Sequence, residues 1–306
     1  MADAMTIFDR VLVRKRRDRA AAGFAAHDFL VREAAERLAD RLEDVKRRFP
    51  LALDLGCHTG IMAEVLGGRG GVETLIQADL SPAMAARAAA NGCPTAVADE
   101  EWLPFAPGRF DLVLSCLSLH WVNDLPGTLA QIRRALKPDG LFLGVMLGGG
   151  TLAELRQSLA AAELENEGGL SPRVSPFADV RDLGQLLQRA GFALPVVDGD
   201  SIGVTYADPL RLMADLRGMG EANAVHERRK TMMRRGTLLA ALSRYRQDFA
   251  GPDERLSATF RLLTMTGWAP HPSQPQPLSP GCATHSLAET LALAETLGTA
   301  ADGDGG

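Results

Sequence analysis

The segment that most restricts the fold is Leu51-Ala-Leu-Asp-Leu55, which runs into Gly56-Cys-His-Thr-Gly60 and then a helical stretch from Ile61 to Leu66. A short apolar run, a glycine-bounded turn and a helix in direct succession make the unit that opens a parallel α/β sheet. The alternation continues. Thr74 to Asp79 reads as a second strand, and Ser81-Pro82 opens a helix, because serine caps well and proline suits the first helical position. Thr95 to Ala98 is a third strand, Phe110 to Ser115 a fourth and Leu141 to Leu147 a fifth. Before the fifth, a helix from Leu125 to Leu136 ends at Lys137-Pro-Asp-Gly140. This order predicts a doubly wound, Rossmann-like α/β sheet, with right-handed crossovers placing helices on both faces.

On the N-terminal side, His27 to Phe49 reads as an amphipathic helix: Leu30, Ala34, Leu38, Leu42 and Val45 recur at helical spacing. The run from Arg10 through Arg14, Lys15, Arg16, Arg17 and Arg19 reads as a solvated basic arm, so residues 1–50 are an arm and a helix. The core then spans 51–206. Past Gly148, helices are expected over Thr151 to Glu165 and Asp179 to Ala190, with extended stretches at Phe192 to Val197 and Ser201 to Tyr206. Asp208 to Ala250 reads as helical, and this insert, 207–255, is long for a connection and suggests a lid. Its methionines, Met213, Met219, Met232 and Met233, fit core packing better than a ligand surface. Ser257 to Trp268 supplies a last strand within 256–269. Residues 270–306 hold a proline-rich crossing, a helix opened by the capping box Ser286-Leu-Ala-Glu289, and a disordered tail from Thr299.

Composition excludes several classes. With 46% hydrophobic and 23% charged residues the chain can bury a core, so disorder is not its main state. Lys and Arg number 33 against 38 Asp and Glu, and aromatics are 5%, so neither a basic field nor a stacking surface argues for nucleic acid. The apolar stretch Gly140 to Ala153 is too short for a membrane span, and the first 20 residues lack a secretory apolar region. Cys57, Cys93, Cys116 and Cys282 have no metal or disulfide spacing and fit reduced thiols in a cytoplasmic protein.

The chemistry begins at the glycine turn. A dinucleotide fingerprint needs a glycine where Ile61 stands, so nicotinamide binding fails. Asp54, Gly56 and Gly60 instead follow the turn pattern of S-adenosylmethionine sites. Asp79 closes the second strand, where an acid accepts both ribose hydroxyls, and Asp99-Glu100 follows the third, beside the adenine amine. Acids at consecutive strand ends share one crevice. With His58 in the turn, Leu80 next to Asp79 and Ser115 at the end of the fourth strand, they make the expected cofactor-binding set. His120, after the fourth strand, is either a base poised near neutral pH or a buried histidine holding the strand end. Trp121 reads as a pocket wall.

Four segments carry a resemblance: Asp54-Leu-Gly-Cys-His-Thr-Gly60, Ala98-Asp-Glu-Glu-Trp-Leu-Pro-Phe105, Phe110-Asp-Leu-Val-Leu-Ser115 and Leu136-Lys-Pro-Asp-Gly140. They resemble motifs of class I S-adenosylmethionine-dependent methyltransferases. Further matches point to a narrower group, the respiratory complex I assembly factor 5 proteins: Phe8-Asp9-Arg10, Ser118-Leu-His-Trp-Val-Asn-Asp-Leu-Pro126, Gly168-Gly-Leu-Ser-Pro172, Asp182-Leu-Gly184, Gly218-Met-Gly-Glu221 and Gly267-Trp268. The malonyl carrier-protein methyltransferases are similar at a greater distance. The resemblance implies a seven-stranded sheet with an antiparallel final strand, S-adenosylmethionine under a helical lid, and a role in maturing NADH dehydrogenase, in the cytoplasm of a bacterium or the matrix of a mitochondrion. For the eukaryotic members that role is hydroxylation of a subunit arginine. Three functions follow as alternatives: methyl transfer, arginine hydroxylation on the same fold, and a non-catalytic assembly chaperone. His58 departs from the group's usual glycine, so its ring must point away from the cofactor or touch its carboxylate end. His120 and Asp124 are the candidate catalytic residues, and Glu100, Glu101 and Asp124 are expected to form an acidic mouth for an arginine of a protein partner.

Overall fold

The period-2 pattern of the apolar segments sorts their side chains onto two faces, and helices cover both. In the computed structural model, which describes residues 6–275 and Ser286, the strands are β1 (Ala52–Leu55), β2 (Leu75–Asp79), β3 (Thr95–Val97), β4 (Phe110–Cys116), β5 (Leu136–Leu147), β6 (Ala193–Tyr206) and β7 (Leu256–Trp268). They form one sheet in the order β3-β2-β1-β4-β5-β7-β6. The first five are parallel, and β7 runs antiparallel to both of its neighbours, β5 and β6. Along β5, Leu141, Leu143, Val145 and Leu147 face one core while Phe142 and Met146 face the other. The first core is closed by α2 (Phe29–Glu43), α3 (Ile61–Leu66), α6 (Ala153–Glu167), α8 (Pro209–Gly218) and α9 (Arg235–Phe249). The second is closed by α5 (Leu125–Ala135) and α7 (Val180–Arg189). Ser81 caps α4 (Pro82–Ala88), its hydroxyl accepting from the Met84 amide at 3.1 Å.

Several expectations need correction. Residues 193–206 are a single strand rather than two, because β7 pairs with them almost throughout. Strand β5 starts at Leu136, and Lys137-Pro-Asp-Gly140 bulges within it, as the register skips from Phe110–Leu136 to Leu112–Leu141. The lid is two helices, α8 and α9, separated by an irregular stretch over 219–234. Met219 is buried, but Met232 is 94% exposed and so packs in no core. The basic arm is a helix, α1 (Arg10–Ala20), capped by Asp9, and it is not solvated: Arg17 is 1% exposed. Asp9 donates its amide to the Ala224 carbonyl (2.9 Å), and Ser81 donates its hydroxyl to Asp18, so the helix is tied to the lid and to α4.

No helix among the described residues is long and apolar enough to cross a membrane. Residues to Pro270 form one compact unit and 271–306 a second, in which the Gln274 amide turns onto the His271 carbonyl. Cys57, Cys93 and Cys116 are free thiols. Cys282, the helix expected after Ser286 and the tail from Thr299 lie outside the described residues.

Candidate functional site

The carboxyl ends of β1, β2, β3 and β4 converge, and the loops that leave them build the site. Gly56 (φ +77°) and Gly60 (φ +90°) take the left-handed conformation that the turn after β1 requires. His58 between them is also left-handed, at φ +50°. Its amide donates to Asp79 Oδ2 at 3.0 Å, and its Nε2 donates to the Cys116 carbonyl at 3.0 Å. The ring stacks on Phe24, with centroids 5.5 Å apart. Burial, reinforced by the Arg17 charge, pushes His58 below its ordinary pKa, so the ring is a neutral wall.

Asp79 is fully buried. Its second oxygen accepts from the Ser81 amide at 2.7 Å, and Arg17 Nη1 lies 3.6 Å from the first. Burial raises its pKa against the pull of Arg17. Glu100 is also fully buried. It accepts from Arg17 Nη1 at 3.0 Å, from Arg10 and from the Ser118 hydroxyl. Burial pushes its pKa up, but the guanidiniums of Arg17 and then Arg10 outweigh this and hold it at about 2. Asp99 accepts from Arg10 at 2.5 Å and from the Glu101 amide at 3.0 Å. Asp54, buried in β1 with neither oxygen hydrogen-bonded, is pushed up to about 8 by burial and then by the Asp79 charge. It is therefore mostly protonated at pH 7.

Some residues expected at the site are occupied elsewhere. Ser115 donates to the Leu55 carbonyl at 2.8 Å, tying β4 to β1. Leu80 packs with Phe8, Val13 and Trp121 beneath α1. Asp124 is exposed and caps α5, accepting from the Gly127 amide at 2.8 Å, and so stands apart from His120's partner. The acidic mouth is likewise overturned. Glu100 is neutralised by two arginines, Glu101 accepts from the Asn123 amide, and Asp124 serves its helix.

Residues that the sequence reading missed dominate instead. Arg17 lies in the crevice, its Nη2 donating to Ser118 Oγ at 2.9 Å. Glu221, in the loop after α8, receives His120 Nε2 at 2.8 Å and Trp121 Nε1 at 3.0 Å. Burial raises the Glu221 carboxyl, but His120 and then Arg17 and the indole bring it below the usual range. Beside this trio lies an apolar cavity of about 270 Å³ between β5, α6 and α8, with Trp121 and Glu221 in its lining. Phe8, Gly218-Met-Gly-Glu221 and His120-Trp121 had been noticed as separate strings, and their meeting was their one available signal.

The crevice can be tested against an adenosyl cofactor. Acceptors at the ends of β2 and β3 and a glycine turn are the right groups for ribose, adenine and a close backbone approach. The space, however, is filled by the chain itself. A Cβ on Gly56 would fall 2.2 Å from Ser118, and Asp79 and Glu100 are both at 0% exposure. The residues fit the group once the Arg17 side chain withdraws. Among the described residues, no three His, Cys, Asp or Glu side chains are grouped to hold a metal ion.

Sheet order, antiparallel β7 and the crevice at the carboxyl ends define the Rossmann-like class I methyltransferase fold. The "Methyltransferase domain" family model matches residues 53–144. Among solved structures, YcgJ from Bacillus subtilis aligns with a TM-score of 0.54 at 15% identity, covering 76% of this chain and 98% of its own. A Haemonchus contortus phosphoethanolamine N-methyltransferase in complex with S-adenosyl-L-methionine gives 0.54 at 18%, covering 85% and 60%. Sequence relatives extend over almost the whole chain. "Arginine-hydroxylase NDUFAF5, mitochondrial" from Danio rerio is 46% identical across 93% of this chain and 89% of its own, and that from Homo sapiens 47% across 93% and 83%. A malonyl-[acyl-carrier protein] O-methyltransferase from a Methylovorus strain is 37% identical, covering 91% and 96%. The chain belongs to the NDUFAF5-like group of the class I S-adenosylmethionine-dependent methyltransferase superfamily. The cofactor that goes with this fold and family is S-adenosylmethionine.

Proposed function

We propose that the chain modifies an arginine side chain on a subunit of NADH dehydrogenase while complex I matures. The observation that carries this reading is the 46–47% identity, over 93% of the chain, to proteins named as arginine hydroxylases. The compartment is the bacterial cytoplasm, or the mitochondrial matrix in a eukaryotic host. When bound, S-adenosylmethionine supplies an activated methyl group. Asp79 would accept the ribose hydroxyls, Asp99 and Glu100 would face the adenine, and the Gly56–Gly60 turn would let the backbone approach closely. His120 sits beyond β4, buried and hydrogen-bonded to Glu221, where it can hold or move a proton at Nε2. Trp121 and the lid helices exclude water from that side.

The modification is hydroxylation on the strength of the named relatives. Methyl transfer is the second reading, favoured by Asp79 and Asp99 at adjacent strand ends. Deletion of the gene, followed by peptide mass mapping of the complex I subunits, separates the two. Hydroxylation predicts loss of an arginine heavier by one oxygen, and methyl transfer predicts loss of one heavier by a methylene. If every peptide keeps its mass while complex I still fails to assemble, both enzymatic readings fall and a chaperone role remains.

A further inference from the structure

The described surface holds one enclosed apolar cavity beside the crevice, and its lining explains neither the fold nor the cofactor's acceptors. Leu147 at the end of β5, Leu155 and Leu159 of α6, and Met213 and Leu216 of α8 form the walls, with Phe177. At about 270 Å³ the cavity lies just below the roughly 300–1,000 Å³ of drug-sized sites, so it suits one extended side chain. Three charged residues share the lining: Glu221, Arg173 and Arg217. Arg173 is already held by Glu163, through Nε at 3.0 Å and Nη2 at 2.6 Å. Arg217 is exposed. Glu221 is the acid among them, with its side chain only 8% exposed.

We propose that Glu221 determines acceptor specificity, receiving the cationic end of a long side chain whose aliphatic stem lies in the lid cavity. The inference rests on the proposed modification of a protein side chain and deepens it. A carboxylate offers about four lone-pair sites, and Glu221 uses two or three of them on His120 and Trp121, so room for another donor remains. A guanidinium suits that remainder, since it is planar and carries several donors, and the Trp121 face adds a cation–π surface. The apolar walls suit the methylene stem. An anionic amphiphile would instead bring a second negative charge against a buried carboxylate, which costs far more in this setting than a contact with exposed Arg217 returns. The cavity also abuts the crevice: a Cβ on Gly220, next to Glu221, would lie 3.5 Å from the Arg17 backbone. A cation bound at Glu221 is therefore adjacent to the place the cofactor would take.

The test is titration of the purified full chain with Nα-acetyl-arginine methylamide, its citrulline counterpart and octanoate, followed by ligand-observed NMR. Citrulline has the same shape and no charge. The arginine probe is expected to bind about tenfold tighter than citrulline, the effect of one charge-assisted hydrogen bond. Glu221→Gln should abolish that preference, and Glu221→Asp should keep it at reduced affinity, which a merely structural role would not produce. Filling the cavity with Leu159→Trp should weaken both probes together. Equal binding of the arginine and citrulline probes, a preference that survives Glu221→Gln, tighter binding of octanoate, or no binding of any probe overturns the assignment. A modified subunit arginine in the mass maps alongside any of those results leaves the proposed function standing. Preference intact with unmodified subunits does the reverse.

Discussion

Replacing Arg17 with methionine should move stability and cofactor affinity in opposite directions. The guanidinium makes a charge-assisted bond to Glu100 at 3.0 Å and another bond to Ser118 at 2.9 Å, and lies 3.6 Å from Asp79, all in fully buried surroundings. Removing one partner of a buried ion pair costs about 3–5 kcal/mol, because the other charge is left without compensation. Arg10 still reaches Glu100, so the lower end, about 3 kcal/mol, is expected. Methionine keeps most of the buried stem, which limits the loss to the charged end. In the crevice, the same substitution removes the group that fills it. A ligand whose site is open only part of the time binds more weakly by that fraction, so removing the plug raises affinity, about tenfold for each 1.4 kcal/mol of closure. Urea unfolding measures the first effect, and calorimetric titration with S-adenosylmethionine the second. Weaker binding alongside lower stability would make Arg17 a ligand of the cofactor and refute its part as an occupant of the crevice.

Other expectations are narrower. Glu100 holds its pKa at about 2 in the fold against 4.5 unfolded, so its contribution is present above about pH 4.5 and is lost as pH falls towards 2. In Glu100→Gln, the acid branch of the stability curve should flatten over that window; an unchanged branch contradicts the pairing. Asp54 has the opposite sign. Raised from 3.8 to about 8, it contributes stability below pH 3.8 that disappears as pH rises through 8, so Asp54→Asn should gain on the parent across that range in pH-dependent melts. Asp124→Ala should cost about 1 kcal/mol through the lost cap of α5 and leave cofactor affinity unchanged. A loss of affinity in titration would return Asp124 to the site.

Much of this molecule is written locally. The alternation of apolar runs with glycine and proline punctuation determines the parallel strands, and Ser81-Pro82 determines the start of α4, because periodicity and capping act over a few residues. The positions of Asp79, Asp99 and Glu100 just past their strands are local too, so the expected crevice could be drawn before any coordinates. What fills it could not. Arg17 reaches Glu100 across 83 residues and Ser118 across 101, and His120 meets Glu221 across 101. Such pairs leave no periodic trace, and a run of arginines looks solvated until buried acids are placed against it. Asp124 shows the converse: near a catalytic-looking histidine in sequence, it is claimed by its own helix terminus. Local hydrogen bonding and hydrophobic period determined the frame of this protein. The packing of α1 and of the loop after α8 decided which charges meet inside it, because a buried charge is stable only where the fold supplies its partner.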